Sequence, residues 1–88
     1  MDKRLEQKIN EKIQEALATL DEIEHIAEMM DDQKGKDKSF QYGIVVGRLY
    51  NSFYYQSRRI LGRSPTEEEF TEFLEILSHS KDAIQSRL

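Results

Sequence analysis

An all-α fold, with three helices packed antiparallel in one domain spanning residues 1–88, is what this chain predicts. Three observations predict it. Apolar residues recur at steps of three and four over long stretches, the period of one helix face. One proline and four glycines leave few points where a helix must stop. No stretch shows the apolar–polar alternation of a half-buried strand.

The first helix is expected over about 3–32. Leu5, Ile9, Ile13, Ala16, Leu20, Ile23, Ala27 and Met30 follow one another at steps of four or three. That keeps a single stripe in register. From Ile9 onward the stripe is a heptad seam, widened by Leu17 and Ile26. Such a helix is about 45 Å long at 1.5 Å per residue. Gly35 is placed to end it by adopting a left-handed conformation. Asp31 and Asp32 stand at the negative end of its dipole, where Lys34, Lys36 and Lys38 offset them.

The central helix is expected over about 40–61, capped by Ser39 or Asp37 and ended by Gly62. At 100° per residue its apolar side chains, among them Val46, Leu49, Tyr50, Phe53 and Tyr54, cover a broad arc. A helix apolar over most of its circumference is contacted on more than one side. Gly43 and Gly47 share a face. Each costs about 1 kcal/mol relative to alanine in a helix interior. Close approach of another backbone is the compensation they predict.

The third helix is expected over about 65–86. Ser64-Pro65-Thr66-Glu67 reads as its start, with Ser64 as cap, Pro65 in the first turn and Glu67 completing a capping box. Phe70, Phe73, Leu74, Leu77, Ile84 and Leu88 form its buried stripe. Lys81 falls on that stripe, so it must snorkel or mark a break.

Connections of about seven and about three residues make neighbouring helices antiparallel. The first helix exceeds its partners by about 10 Å. Its surplus seam needs another surface, and a second copy of the chain is the simplest one. The expected interface is Ile13, Leu17, Leu20, Ile23 and Ile26 with Gly43 and Gly47, in a homodimer that forms a larger helical bundle.

Charge is segregated. Residues 1–38 carry 7 basic and 11 acidic side chains, and residues 64–88 carry 2 and 6. Between Ser39 and Arg63 the only charged residues are Arg48, Arg58, Arg59 and Arg63, and six of the eight aromatics lie there. Gln41, Arg48, Ser52, Tyr55, Gln56 and Arg59 fall on one polar stripe, with Arg58 and Arg63 nearby. Arginines interleaved with tyrosines can hold phosphates and stack on bases. They can equally pair with the glutamates of the outer helices. The net charge of −4 favours pairing over nucleic acid.

Two carboxylate–histidine pairs have ligand-like spacing: Glu22 with His25, and Glu75 with His79. A di-metal helical site needs two Glu-x-x-His pairs and two further glutamates facing inward. The chain has one such pair, so no resident metal or cofactor is expected. A ferritin-like site assembled across a dimer is the only form such chemistry takes here.

Leu61-Gly-Arg-Ser-Pro-Thr-Glu-Glu-Glu-Phe70 resembles the opening of helix-turn-helix motifs in sigma-factor-type domains. The resemblance spans ten residues. It implies a turn near Leu77–Ser80 and a recognition helix from Lys81 to Leu88. That helix has only Lys81 and Arg87 as basic residues, and the turn lacks its usual glycine.

The chain has no cysteine, hence no thiolate nucleophile, thiolate metal site or disulfide. No glycine-rich phosphate loop follows a strand, and no catalytic triad spacing is present. No apolar run approaches the roughly 20 residues that span a bilayer, and the first residues lack a signal peptide's apolar core. The expectation is a soluble, cytoplasmic, non-enzymatic interaction or assembly module, homodimeric, with an adaptor or regulatory role. A nucleic-acid-binding regulator is the second reading.

Overall fold

The computed structural model describes residues 1–88. It contains α1 (Lys3–Ala18), α2 (Leu20–Met30), α3 (Lys38–Leu61), α4 (Glu67–His79) and α5 (Lys81–Arg87), with no strand. The three expected rods are present and form a helical bundle. The first and the third are each broken once; the apolar spacing did not reveal the first break, whereas the second is the break that Lys81 on the third stripe could mark.

The first break is at Thr19, with φ −125° and ψ 31°. Its hydroxyl donates to the Glu15 carbonyl at 3.0 Å. In a continuous helix that oxygen belongs to the Thr19 N–H. The N–H turns instead to the Ala16 carbonyl at 3.2 Å. A β-branched residue that bonds back to its own turn bends a helix in this way. The bend keeps the seam on α3. Ile13 and Ile23 are buried, and Leu17 and Leu20 lie half-buried against the same core. The surplus apolar length expected for a second copy is therefore mostly spent within the chain.

The second break is at Ser80, whose N–H bonds to the Leu77 carbonyl at 3.0 Å. Lys81 becomes the first residue of α5 and is exposed. Ile84 then returns to the core, fully buried.

α3 starts at Lys38. Asp37 is its cap, accepting from the N–H groups of Ser39 at 2.8 Å and Phe40 at 3.3 Å. It ends at Gly62, where φ is 70°, a conformation glycine adopts without strain. Gly35 does not take the left-handed role expected of it, since Gly62 alone has positive φ. Gly35 is required for space instead. A Cβ there would lie 2.5 Å from the Cα of Glu28. The Gln41 amide donates to the Gly35 carbonyl and ties this connection to α3.

The capping box of α4 sits two residues later than expected. Thr66 accepts from the Glu69 N–H at 3.1 Å, and the Glu69 carboxylate accepts from the Thr66 N–H at 2.9 Å. Arg63 decides between the two spacings. It donates to both Glu69 oxygens, at 2.7 and 3.2 Å.

The core lies along one strip of α3. Val45, Leu49 and Phe53 are covered by Leu5, Ile9 and Ile13 of α1 on one side and by Phe73 and Leu77 of α4 on the other. Phe53 and Phe73 stack at 4.4 Å with nearly parallel rings. The buried face of α3 also includes Gln41 and Gln56, which the apolar pattern assigned to the polar stripe. Tyr50 is turned outward and 41% exposed.

Two outcomes follow. Gly35→Ala forces a Cβ against the α2 backbone and lowers stability by about 1–3 kcal/mol, read from a denaturant midpoint. An unchanged midpoint would deny that contact. The Arg63 guanidinium and the Thr66 N–H hold the Glu69 carboxyl at about 2, below the ordinary 4.5. A depressed carboxylate stabilises the fold above its unfolded value and loses that contribution as pH falls through its folded one. Stability should therefore drop between about pH 4.5 and pH 2, and Glu69→Gln should flatten that limb in thermal melts.

Candidate functional site

A cationic groove runs between α1 and α3. On α1, Arg4, Lys8 and Lys12 recur every fourth residue, about 6 Å apart along the axis. On α3, Ser52, Tyr55, Gln56 and Arg59 lie on the facing side. Two clefts make up the groove. One of about 290 Å³ is lined by Lys12, Asn51, Ser52, Tyr54, Tyr55, Gln56 and Arg58. The other, about 340 Å³, is lined by Arg4, Gln7, Lys8, Glu11, Gln56, Arg59 and Ile60.

Gln56 is common to both clefts. It is 4% exposed, and its carboxamide oxygen is buried with no hydrogen-bond partner. Beneath it Ile9, Lys12, Leu49, Ser52, Phe53 and Phe73 leave no room for a water, and none of them donates to that oxygen.

The α1 cations bond within their own segment: Arg4 to Asp2, Lys8 to Glu11 and Lys12 to Glu15, each at 3.1 Å. Such exposed pairs are weak and open to exchange for another anion. Arg58 and Arg59 form no ion pair with the protein. Arg58 stands over the Tyr54 ring at 5.7 Å. Tyr55 is 60% exposed.

The expected arginine stripe thus divides. Arg48, Tyr55, Arg58 and Arg59 are on the surface, and Arg48 meets Glu22 across the α2–α3 junction at 3.9 Å. Gln41 and Arg63 serve the structure, holding Gly35 and Glu69. Arg4, Lys8 and Lys12 were missed in the sequence because the acidic residues between them mask their period. The i, i+4, i+8 spacing is the signal that would have found them.

A second surface lies at the other end of the bundle. Of the expected interface residues, Ile13 and Ile23 are buried, Leu17 and Leu20 are half-buried, and Ile26 is 36% exposed. Met29 and Met30 extend it, each 70% exposed. Gly43 and Gly47 do not admit another backbone of this chain. Both are exposed, and a Cβ at either would have nothing within 4 Å. Between α3 and α4, Tyr50 meets the Phe70 ring edge-on at 5.8 Å beside Leu74, which is 48% exposed.

Glu22 and His25 are exposed on α2, and Glu75 and His79 on α4. No three His, Asp or Glu side chains converge as a metal site. α4 and α5 are joined through Ser80 alone, whereas a helix-turn-helix uses a turn of three or four residues. The seven-residue α5 buries Ile84 and carries Lys81 and Arg87 as its only basic residues. No helix is long and apolar enough to cross a membrane. No known family matches the chain, and neither the curated proteins nor the solved structures include a match to it.

Gln56→Met removes the orphaned oxygen at similar shape. It is expected to raise stability by about 1 kcal/mol in chemical denaturation. A loss of that size would show that the carboxamide is satisfied.

Proposed function

We propose that the chain is a small non-enzymatic helical interaction or assembly module that acts as a homodimer, with an adaptor or regulatory role. One observation carries this: the apolar end of α2, Ile26, Met29 and Met30, is left uncovered by the rest of the chain. Methionine is flexible and polarisable, which suits a surface that must fit another. It continues the α1–α2 seam, the rest of which is spent on the core. Gly43 and Gly47 support the same reading. Two interior helix glycines with open space above them cost about 1 kcal/mol each, and nothing in the monomer returns that cost.

Light scattering across a tenfold concentration range tests the proposal. The expected result is a dimer that Met29→Glu with Met30→Glu converts to a folded monomer, since both positions are exposed. A dimer indifferent to those changes would move the interface to the Gly43–Gly47 face, where Gly47→Leu should then break it. A monomer at every concentration would end the homodimer reading.

A further inference from the structure

We propose that the α1–α3 groove binds single-stranded nucleic acid. Its phosphates would lie on Lys8, Lys12, Arg58 and Arg59, with a base on Tyr55. This site is separate from the uncovered end of α2 and does not depend on dimerisation.

Charge is the first argument. The two clefts are lined by five cations, Arg4, Lys8, Lys12, Arg58 and Arg59, against one acid, Glu11. The whole chain has a net charge of −4. Asp2, Glu11 and Glu15 pair with Arg4, Lys8 and Lys12, so the groove's excess of positive charge is that of Arg58 and Arg59, on a protein that is acidic as a whole. Arg58 and Arg59 have no anion of their own to give up.

The second argument is Gln56. Gln56 lines both clefts where they meet; its orphaned atom is the carboxamide oxygen, an acceptor that no phosphate satisfies, so only its amide nitrogen counts toward an anion. The amide of Gln56 and the hydroxyl of Ser52 are neutral donors of the kind that fix a phosphate between cations.

Shape selects the class of anion. The cations are strung along the groove rather than gathered at one point. Their spacing of about 6 Å on α1 suits a repeating backbone better than a single phosphate. Tyr55, 60% exposed on the same side, offers a ring face on which any base can stack. An acidic peptide would use the cations but not the ring. A duplex needs an element inserted into its groove, and here the concave surface belongs to the protein.

The test is fluorescence anisotropy with a labelled single-stranded DNA dodecamer of mixed sequence, at 50 and 200 mM salt. Contacts to two to four phosphates should weaken binding by about 7- to 50-fold over that range. Arg58→Ala with Arg59→Ala should weaken it at least tenfold and flatten the salt dependence, with helicity unchanged by circular dichroism. Tyr55→Ala should weaken it about fivefold or more. Glu11→Gln frees Lys8 of its carboxylate partner and should tighten binding, a gain that misfolding cannot produce. No binding at 50 mM salt would overturn the proposal, as would binding indifferent to the arginine changes. Poly-glutamate bound as tightly, with Tyr55→Ala silent, would assign the groove to an acidic protein and equally overturn it.

Discussion

Everything in this bundle depends on covering one strip of α3. Val45, Leu49 and Phe53 run along a 24-residue helix, and no single straight partner covers them and closes the core. α1 and α2 reach the strip from one side, and α4 from the other, through the Phe53–Phe73 stack. Fully burying side chains of this size contributes about 1.5–3 kcal/mol each, so the strip outweighs any polar contact on the surface. The bend at Thr19 serves it. A straight rod of 28 residues would run past α3 and carry Ile23 away from the core. The bend costs one regular helical hydrogen bond, largely replaced by the Thr19 hydroxyl.

That arrangement sets the electrostatics. α2 and α4 carry acids and no Lys or Arg, α1 carries four basic and three acidic side chains, and α3 beyond Lys38 has only arginines as charged residues. Where an outer helix lies close, pairs form, as between Arg63 and Glu69 and more loosely between Arg48 and Glu22. The α1 side differs. There the outer helix brings Arg4, Lys8 and Lys12 toward the α3 arginines, and its glutamates are engaged by its own lysines one turn away. Cations thus gather along the α1–α3 junction although the chain as a whole is acidic. Averaging charge by segment hid this, because the partition that matters is by helix face.

The rods were legible in the sequence because apolar spacing reports helix faces directly. Gly62 as a stop was legible for the same local reason, and the cap was narrowed to Ser39 or Asp37, of which the structure uses Asp37. The break at Thr19 was not legible, since it lies between seam residues whose spacing is uninterrupted and depends on which carbonyl one N–H and one hydroxyl find. The break at Ser80 was signalled by Lys81 on the apolar stripe, although snorkelling was an equal reading of it. Thr66 could not be distinguished from Ser64 as cap, since both precede a glutamate by three residues. The choice falls to Arg63, a contact six residues away. Gly35 was misjudged because its constraint is the nearby α2 backbone rather than its own dihedral angles. Gln41 and Gln56 were read as surface because polarity stood in for exposure. One is buried to bond a carbonyl, and the other is buried with no bond at all. The groove was half-visible, its α3 side in the arginines and its α1 side concealed among acids.

The two surfaces lie at opposite ends of a bundle 40 Å long. Gln56 and Arg59 face the first half of α1, whereas Ile26, Met29 and Met30 close α2 beyond the Glu22–Arg48 pair. From Gln41 to Gln56 along α3 is about 22 Å, more than two Debye lengths at 0.1 M salt. Joining two copies through the α2 ends would therefore neither cover a groove nor bring two cationic grooves into repulsion. It would set them facing outward at the far ends of one particle. A strand reaching both would gain from effective concentration without any new contact. On the proposed reading, the groove alone would offer a few phosphate contacts and hence weak binding. Pairing through an apolar end far from it is the arrangement by which so small a chain would turn weak contacts into useful ones.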